Sequence, residues 1–342
     1  MKRVLVIRLS AIGDVAMSVP VIYSAARANP DDTFTVVTQA FLIPIFINRP
    51  KNVELLGINI KGTEKSVWGM LRFASAISRE KYDLILDLHR VIRTRAFTSY
   101  FRLRGKRVYT INKGRNERKQ LTRKEHKILR PLRQMTQRYA DVFRRAGLNY
   151  TDTFQSLYES LSIDLALLNH LVGEKTGRWI GIAPFAKHRG KAYPLDRMEQ
   201  IVKQLAKHTD TKVFLFGGGD IEQETLERWA DEAPTIVNTA GKYGLNVELM
   251  LISRMDLLVS MDSANMHFAS LAGTRVLSVW GATHPYAGFY GYNQRPDDTV
   301  QTDLPCRPCS IFGNKPCYRG DWACMETITP DTILNKIEDI LS

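Results

Sequence analysis

DLLVSMDSANMHFASLAGTRVLSVWGATHP, residues 256–285, is the stretch whose reading decides the fold. Leu257–Met261 is a short apolar run of strand character. Asp262–Ser263 then opens a helical pattern in which Met266, Phe268, Ala269 and Leu271–Ala272 make one apolar face that ends at Gly273. Val276–Trp280 is the next buried strand, stopped by Gly281. A helix that opens directly after a strand presents free amides and its positive dipole end at the carboxyl edge of the sheet, where nucleotide phosphates are readily held. Ser263 and His267 lie four apart on one helical face. Taken alone, these residues are described more simply as an Asp/Ser N-cap with a surface histidine.

The same alternation runs outward in both directions. Residues 3–7 (RVLVI) read as a buried strand, followed by a loop Arg8–Gly13 and a helix that Asp14 begins, running to about Asn29 with Pro20 bending or interrupting it. Val36–Thr38, Val53–Gly57 and Tyr82–Leu88 are further strands, the last after a helix over residues 66–79. Residues 123–146 read as an arginine-rich helix ending at Gly147, and Leu161–Val172 as an apolar segment. Trp179–Pro184 and Lys212–Phe216 are strands flanking a helix over 195–208. Gly217–Gly219 is a turn into a helix with Glu222 and Glu224 near its start, and Pro330–Leu341 closes the chain as a helix. Strands alternating with helices predict parallel, doubly wound sheets, whose ligands sit at the carboxyl ends of the strands. No internal repeat or low-complexity linker interrupts the pattern.

With 342 residues, 44% hydrophobic and 24% charged, the chain has the composition of a folded protein long enough for two domains. No apolar run reaches the roughly 18 residues of a membrane-spanning helix, and Val4–Ile7 is too short before Arg8 for a signal peptide, so a cytoplasmic protein is expected. A net charge of +13 points to anionic partners: nucleic acid, an acidic membrane face or a phosphorylated substrate. The excess is concentrated between Arg90 and Arg145, where Phe97, Tyr100, Phe101 and Tyr109 would permit base stacking. No RNA- or DNA-binding module accompanies these charges, and a solvated basic face explains them as well.

The chain has four cysteines, Cys306, Cys309, Cys317 and Cys324, clustered near the carboxyl end. C-x2-C with two later cysteines is compatible with a structural zinc site, although the second pair lacks knuckle spacing; reduced thiols fit equally. A cytoplasmic location disfavours disulfides.

RLSAIGDVAMSVP (8–20), DSANMH (262–267) and GATHP (281–285) together resemble the signatures of the bacterial ADP-heptose:lipopolysaccharide heptosyltransferases, family nine of the glycosyltransferases. The likeness runs through most of the chain. It implies an α/β fold of the glycosyltransferase B type, two Rossmann-like doubly wound domains facing across an interdomain cleft. An acceptor domain would span 1–160 and a nucleotide-sugar domain 161–329, with helix 330–342 crossing back to the first. By position in the family motif, Asp14 would be the general base, although Asp is also a preferred N-cap. The loop FAKHRGKAYP resembles the family's lysine-containing loop, with Lys191 in place and Tyr193 where tryptophan is usual; the lysine would neutralise charge on the departing diphosphate, with Lys187 and Arg189 as neighbours able to share that task.

The family also implies a donor set of Glu222 on the ribose, Lys242 and Tyr243 against the base, and Asp262, Ser263, His267 and Thr283 on sugar and diphosphate. Ala282 and His284 stand where the family usually has Pro and an acid. Arg93, Arg115, Arg118, Lys119 and His126 are the acceptor-side candidates, suited to the carboxylates and phosphates of an anionic glycolipid at the inner membrane surface. The reaction read from this is inverting transfer of heptose from ADP-heptose to a lipopolysaccharide inner-core acceptor. With no D-x-D sequence it needs no metal or other cofactor, and zinc would be structural only. No nucleic-acid partner is expected. A related transferase using another nucleotide sugar is one alternative. A non-catalytic RNA-binding protein using the basic 90–145 region is another.

Overall fold

The computed structural model describes residues 1–159 and 163–342, which divide into two compact units: Met1–Lys113 with Arg133–Gln155, and Gly114–Leu132 with Ser156–Ser342. The chain starts with β1 (Arg3–Ile7), α1 (Ile12–Ala16), α2 (Val19–Ala28), β2 (Thr33–Gln39), β3 (Val53–Ile58), α3 (Val67–Ile77), β4 (Leu84–Asp87), α4 (Ile92–Leu103) and β5 (Arg107–Thr110). Then come α5 (Arg115–Leu121), in unit 2, and α6 (Met135–Arg145), back in unit 1. Unit 2 continues with α7 (Leu165–Val172), β6 (Arg178–Ala183), α8 (Leu195–Leu205), β7 (Thr211–Leu215), α9 (Asp220–Ala230), β8 (Ile236–Asn238) and α10 (Leu245–Ile252). It ends with β9 (Leu257–Met261), α11 (Ala264–Ala272), β10 (Val276–Trp280), β11 (Thr299–Gln301), α12 (Ala323–Glu326) and α13 (Pro330–Leu341).

Both sheets are parallel throughout. Unit 1 has strand order β3-β2-β1-β4-β5, and unit 2 β11-β10-β9-β6-β7-β8. Counted from the first strand of each unit, both follow the 3-2-1-4-5 winding, with a sixth strand in unit 2. Each therefore has a switch point at the carboxyl ends of its first and fourth strands: β1 and β4 in one, β6 and β9 in the other. The doubly wound, two-unit α/β fold expected from the alternation is present. The strands are nearly continuous apolar runs because helices cover both faces, and Val4–Ile7, Leu257–Met261 and Val276–Trp280 are buried along their whole length.

Several expectations are corrected. Asp14 does not begin its helix: Ala11 is the N-cap, and Asp14 is the third residue of α1. The helix expected to run to about Asn29 is two, because Pro20 has no N–H to donate and its ring would meet the carbonyl of Ala16, where α1 ends. The arginine-rich helix expected over 123–146 forms only from Met135. Pro131 holds its predecessor out of the helical region, and Leu132 N–H instead donates to Tyr286 O at 2.9 Å. Gly114–Leu132 belongs to unit 2 rather than to the first domain. The domain junction expected between 160 and 161 lies outside the described residues. The closing helix, expected to cross back, has its apolar face in unit 2, where Ile333 and Ile337 are fully buried with Met198 and Ile201 of α8.

Candidate functional site

At the switch point of unit 2, the loop after β6 carries Lys191 and the turn after β9 carries Asp262 and Ser263. Lys191 Nζ lies 2.8 Å from Asp262 Oδ2, both side chains being largely buried. Ser263 caps α11 by backbone geometry only; its hydroxyl lies 3.2 Å from that of Ser260 and makes no cap bond to the helix. The first amides of a nine-residue helix thus open beside a lysine. His267 is buried one turn along α11, and the side-chain hydroxyl of fully buried Thr283, in the turn after β10, has no hydrogen-bond partner.

The loop bearing Lys191 is fastened to that turn. Ala282 N–H donates to Gly190 O at 2.7 Å, an approach so close that a Cβ on Gly281 would lie 2.8 Å from the same oxygen. The opposite side of the turn is held by Arg307. Its guanidinium, 4% exposed, donates to the carbonyls of Trp280, Gly281, Thr283 and Thr302 and to Gln301 Oε1. Tyr193, in place of the usual tryptophan, is buried and donates to Ile328 O at 3.0 Å. His284 replaces the usual acid with an imidazole that burial and the Arg307 cation push down to about 4, so it is neutral at pH 7; its Nδ1 accepts from Tyr286 N–H.

The other donor-side candidates are more peripheral. Glu222 accepts from Gly218 N–H at 2.7 Å, closing the glycine turn onto α9. Lys242 is exposed and paired with Glu227, and Tyr243 O–H reaches Leu171 O at 3.4 Å. Next to them on α10, burial pushes the Glu248 carboxyl from 4.5 up to about 7. A carboxyl that holds its proton more tightly when folded loses folding stability as pH rises between those two values. Glu248→Gln is therefore expected to stabilise the fold relative to wild type at pH 8, by an amount on the order of 2 kcal/mol, and to leave its stability nearly unchanged at pH 4.5. An equal shift at both values in a melting series would exclude this origin.

In unit 1 the residues at the switch point are Arg8 and Asp14 after β1, and Asp87 and His89 at the end of β4. Arg8 Nη2 lies 2.6 Å from Asp14 Oδ2, with the arginine 3% and the aspartate 25% exposed. Arg8 Nη1 donates to Leu88 O at 2.7 Å. The other carboxylate oxygen, Asp14 Oδ1, lies 3.4 Å from Tyr139 O–H. His89 Nε2 is 3.5 Å from Ser10 Oγ, and burial together with the Arg8 cation pushes the imidazole down to about 3. Asp87 is wholly buried; its Oδ1 accepts from the amides of His89 and Arg90 and so shapes the turn that carries the histidine. The sequence reading missed Arg8, Asp87, His89 and Tyr139. An Asp-x-His pair closing the clearest strand was the available signal.

The acceptor-side candidates fall in different units. Arg93 is the second residue of α4 in unit 1; Arg115, Arg118 and Lys119 on α5, and exposed His126, are in unit 2. Arg118 stacks over the Phe289 ring at 4.6 Å. Of the four aromatics that would have stacked bases, Phe97 and Phe101 are core residues of unit 1 and unavailable for stacking, while Tyr100 and Tyr109 are half-buried. The four cysteines line one cavity, all as free thiols. Among the described residues, no group of three or more His, Cys, Asp or Glu is arranged to hold a metal. No helix of the described residues is long and apolar enough to cross a membrane.

Comparison with known proteins decides the family. The model of glycosyltransferase family 9 (heptosyltransferase) matches residues 70–314. The chain belongs to glycosyltransferase family 9. Among curated family 9 relatives it is similar to lipopolysaccharide heptosyltransferase 1 of Campylobacter coli, 21% identical over 99% of this chain and 98% of that one. It is also similar to lipopolysaccharide heptosyltransferase 3 of Escherichia coli K12, 25% identical over 79% and 80%. Its fold resembles the family 9 glycosyl transferase of Veillonella parvula (TM-score 0.76, 18% identity, covering 99% of this chain and 97% of that one). It also resembles the E. coli ADP-heptose lipopolysaccharide heptosyltransferase II (TM-score 0.73, 18% identity, 100% and 98%). The enzyme is thus a glycosyltransferase of the heptosyltransferase family, with the α/β fold of the B type.

Proposed function

We propose that this family 9 enzyme transfers heptose from ADP-heptose to an anionic lipopolysaccharide inner-core acceptor, with inversion and without a metal ion. The observation that carries the reading is the Lys191–Asp262 pair beside the opening amides of α11. A nucleoside diphosphate leaving group gains negative charge as its bond to the sugar breaks, and a lysine with a helix N-terminus supplies fixed positive potential there, the task a divalent cation serves elsewhere. E. coli heptosyltransferase WaaC, whose fold this chain resembles, has been solved with ADP, which supports an adenosine diphosphate donor.

In the reaction, an acceptor hydroxyl oxygen attacks the anomeric carbon from the face opposite ADP. Its proton passes to Asp14 Oδ1, the carboxylate oxygen that Arg8 does not hold. The carbon–oxygen bond to the β-phosphate breaks, and its electron pair leaves with ADP. Arg8 fixes Asp14 in place through the other oxygen and takes no part in the proton transfer, so it is a positioning residue. The acceptor reaches the carboxyl edge of unit 1 from the inner membrane surface, where anionic headgroups suit the protein's positive charge.

Thermal stabilisation by nucleotides tests the donor side. ADP is expected to raise the melting temperature by several degrees where UDP, GDP and CDP do not, with Asp262→Ala abolishing the shift and Lys191→Ala only reducing it. A larger shift with another nucleotide would reassign the donor while leaving the family intact. Transfer that disappears in chelator and returns with a divalent ion would overturn the metal-free part.

A further inference from the structure

Unit 1 exposes seven large apolar side chains among its described residues, and five of them, Ile12, Phe41, Val67, Trp68 and Ile92, follow strands at one edge of the sheet. Ile12 opens α1 after β1, and Phe41 lies in the short 3-10 turn after β2. Val67 and Trp68 open α3 after β3, and Ile92 opens α4 after β4. In a parallel sheet all these positions are at the carboxyl edge, the edge that carries Asp14. The four strands are consecutive neighbours in the order β3-β2-β1-β4, so the side chains form a row rather than scattered points. Trp68 and Ile92 are 76% and 78% exposed, far more than water tolerates without compensation in a grouped set.

The row is edged by cations. Lys61 and Lys65 precede α3, Arg93 and Arg95 sit in the first two turns of α4, and all but half-buried Arg93 are exposed. The acid in the same loop, half-buried Glu64, accepts from the Asn59 amide and the Thr63 hydroxyl. Tryptophan and aliphatic side chains flanked by lysine and arginine suit the boundary between acyl chains and anionic headgroups, where the ring sits at headgroup depth and each cation gains from the surface potential. We infer that the carboxyl edge of unit 1 is a lipid-binding surface that rests on an anionic bilayer, with Trp68 and Ile92 inserted and the neighbouring cations on the headgroups. This deepens the acceptor side of the function proposed above: it sets Asp14 at the plane in which a glycolipid presents its sugar.

Sedimentation with vesicles of phosphatidylglycerol and phosphatidylcholine tests it, with pure phosphatidylcholine as control and Trp68→Ser/Ile92→Ser as the variant. Wild type is expected to sediment with the anionic vesicles and not with the neutral ones, less so in high salt, and the double variant to bind at least roughly tenfold more weakly. Tryptophan emission should shift to the blue on binding, and Trp68→Phe should lose that shift, which reports on insertion in a protein whose fold is untouched. ADP stabilisation is read on the same preparations. A variant that keeps its ADP shift but loses vesicle binding supports the surface, and loss of the ADP response alone strikes the donor reading instead. Equal sedimentation of variant and wild type, or no binding by wild type, would overturn the inference. So would a wild-type dimer that Trp68→Ser/Ile92→Ser dissolves, by assigning the row to a protein contact.

Discussion

On the proposed mechanism Asp14→Asn should lower the rate of glycosyl transfer by roughly 10³-fold, the size of effect expected when a positioned general base is removed. The asparagine keeps the shape of the side chain and can still accept a hydrogen bond from Arg8, whose guanidinium lies 2.6 Å from the carboxylate, but it takes no proton from the acceptor hydroxyl. ADP should stabilise the variant as it does wild type, because the residue is in unit 1 and the nucleotide reading concerns unit 2. Arg8 is 3% exposed, so loss of its charged partner costs folding stability of about 1–3 kcal/mol, and a rate measured near the lowered melting temperature would mislead. The comparison belongs at 15–20 °C below it. Pairing Asp14→Asn with Arg8→Met should recover stability without recovering rate. A variant within a factor of about three of wild type in single-turnover transfer would move the base elsewhere.

Lys191→Ala should lower kcat by roughly 10²–10³-fold, with a smaller change in KM, because on the proposed mechanism the lysine meets more charge in the transition state than in the bound donor. Its ammonium lies 2.8 Å from Asp262, so a diphosphate must share or displace that carboxylate. Two consequences can be measured. Lys191→Ala leaves Asp262, 6% exposed, without its partner, and Asp262→Asn should partly relieve the resulting loss of stability. Lys191→Arg keeps the charge while changing its reach, and should fall between wild type and alanine. If KM rises and kcat holds, the lysine binds ground state and transition state alike.

Much of this was legible in the sequence, and the exceptions share a cause. Leu257–Met261, Val276–Trp280 and Pro330–Leu341 are where apolar period and caps predicted them, since each is a local pattern with its stop signal inside the chain. The family signatures named Asp14, Lys191 and Asp262, and the structure ties the last two by an ion pair no spacing rule contains. What failed was decided by distant partners. The segment 123–134 leaves its helical pattern because Lys127 donates to Pro305 O and Cys306 O and Leu132 to Tyr286 O. Arg8 looked like a charge that ends a strand, and proved to be the buried partner of the candidate base. Phe97 and Phe101 were read beside basic residues, whereas Phe97 packs against Phe73 of α3 and Phe101 against Tyr82.

The bond from Ala282 N–H to Gly190 O bears on how this enzyme should be engineered. A stabilisation campaign guided by relatives would propose proline at this position, restoring what the family usually has there, and such consensus changes ordinarily help. Here proline removes the backbone donor that ties Gly190, next to Lys191, to the turn after β10. Ala282→Pro should therefore raise rigidity in the wrong place and release Lys191 from its register. The chain has exchanged a stiff turn for a latch, and averaging it back toward its relatives would undo the latch.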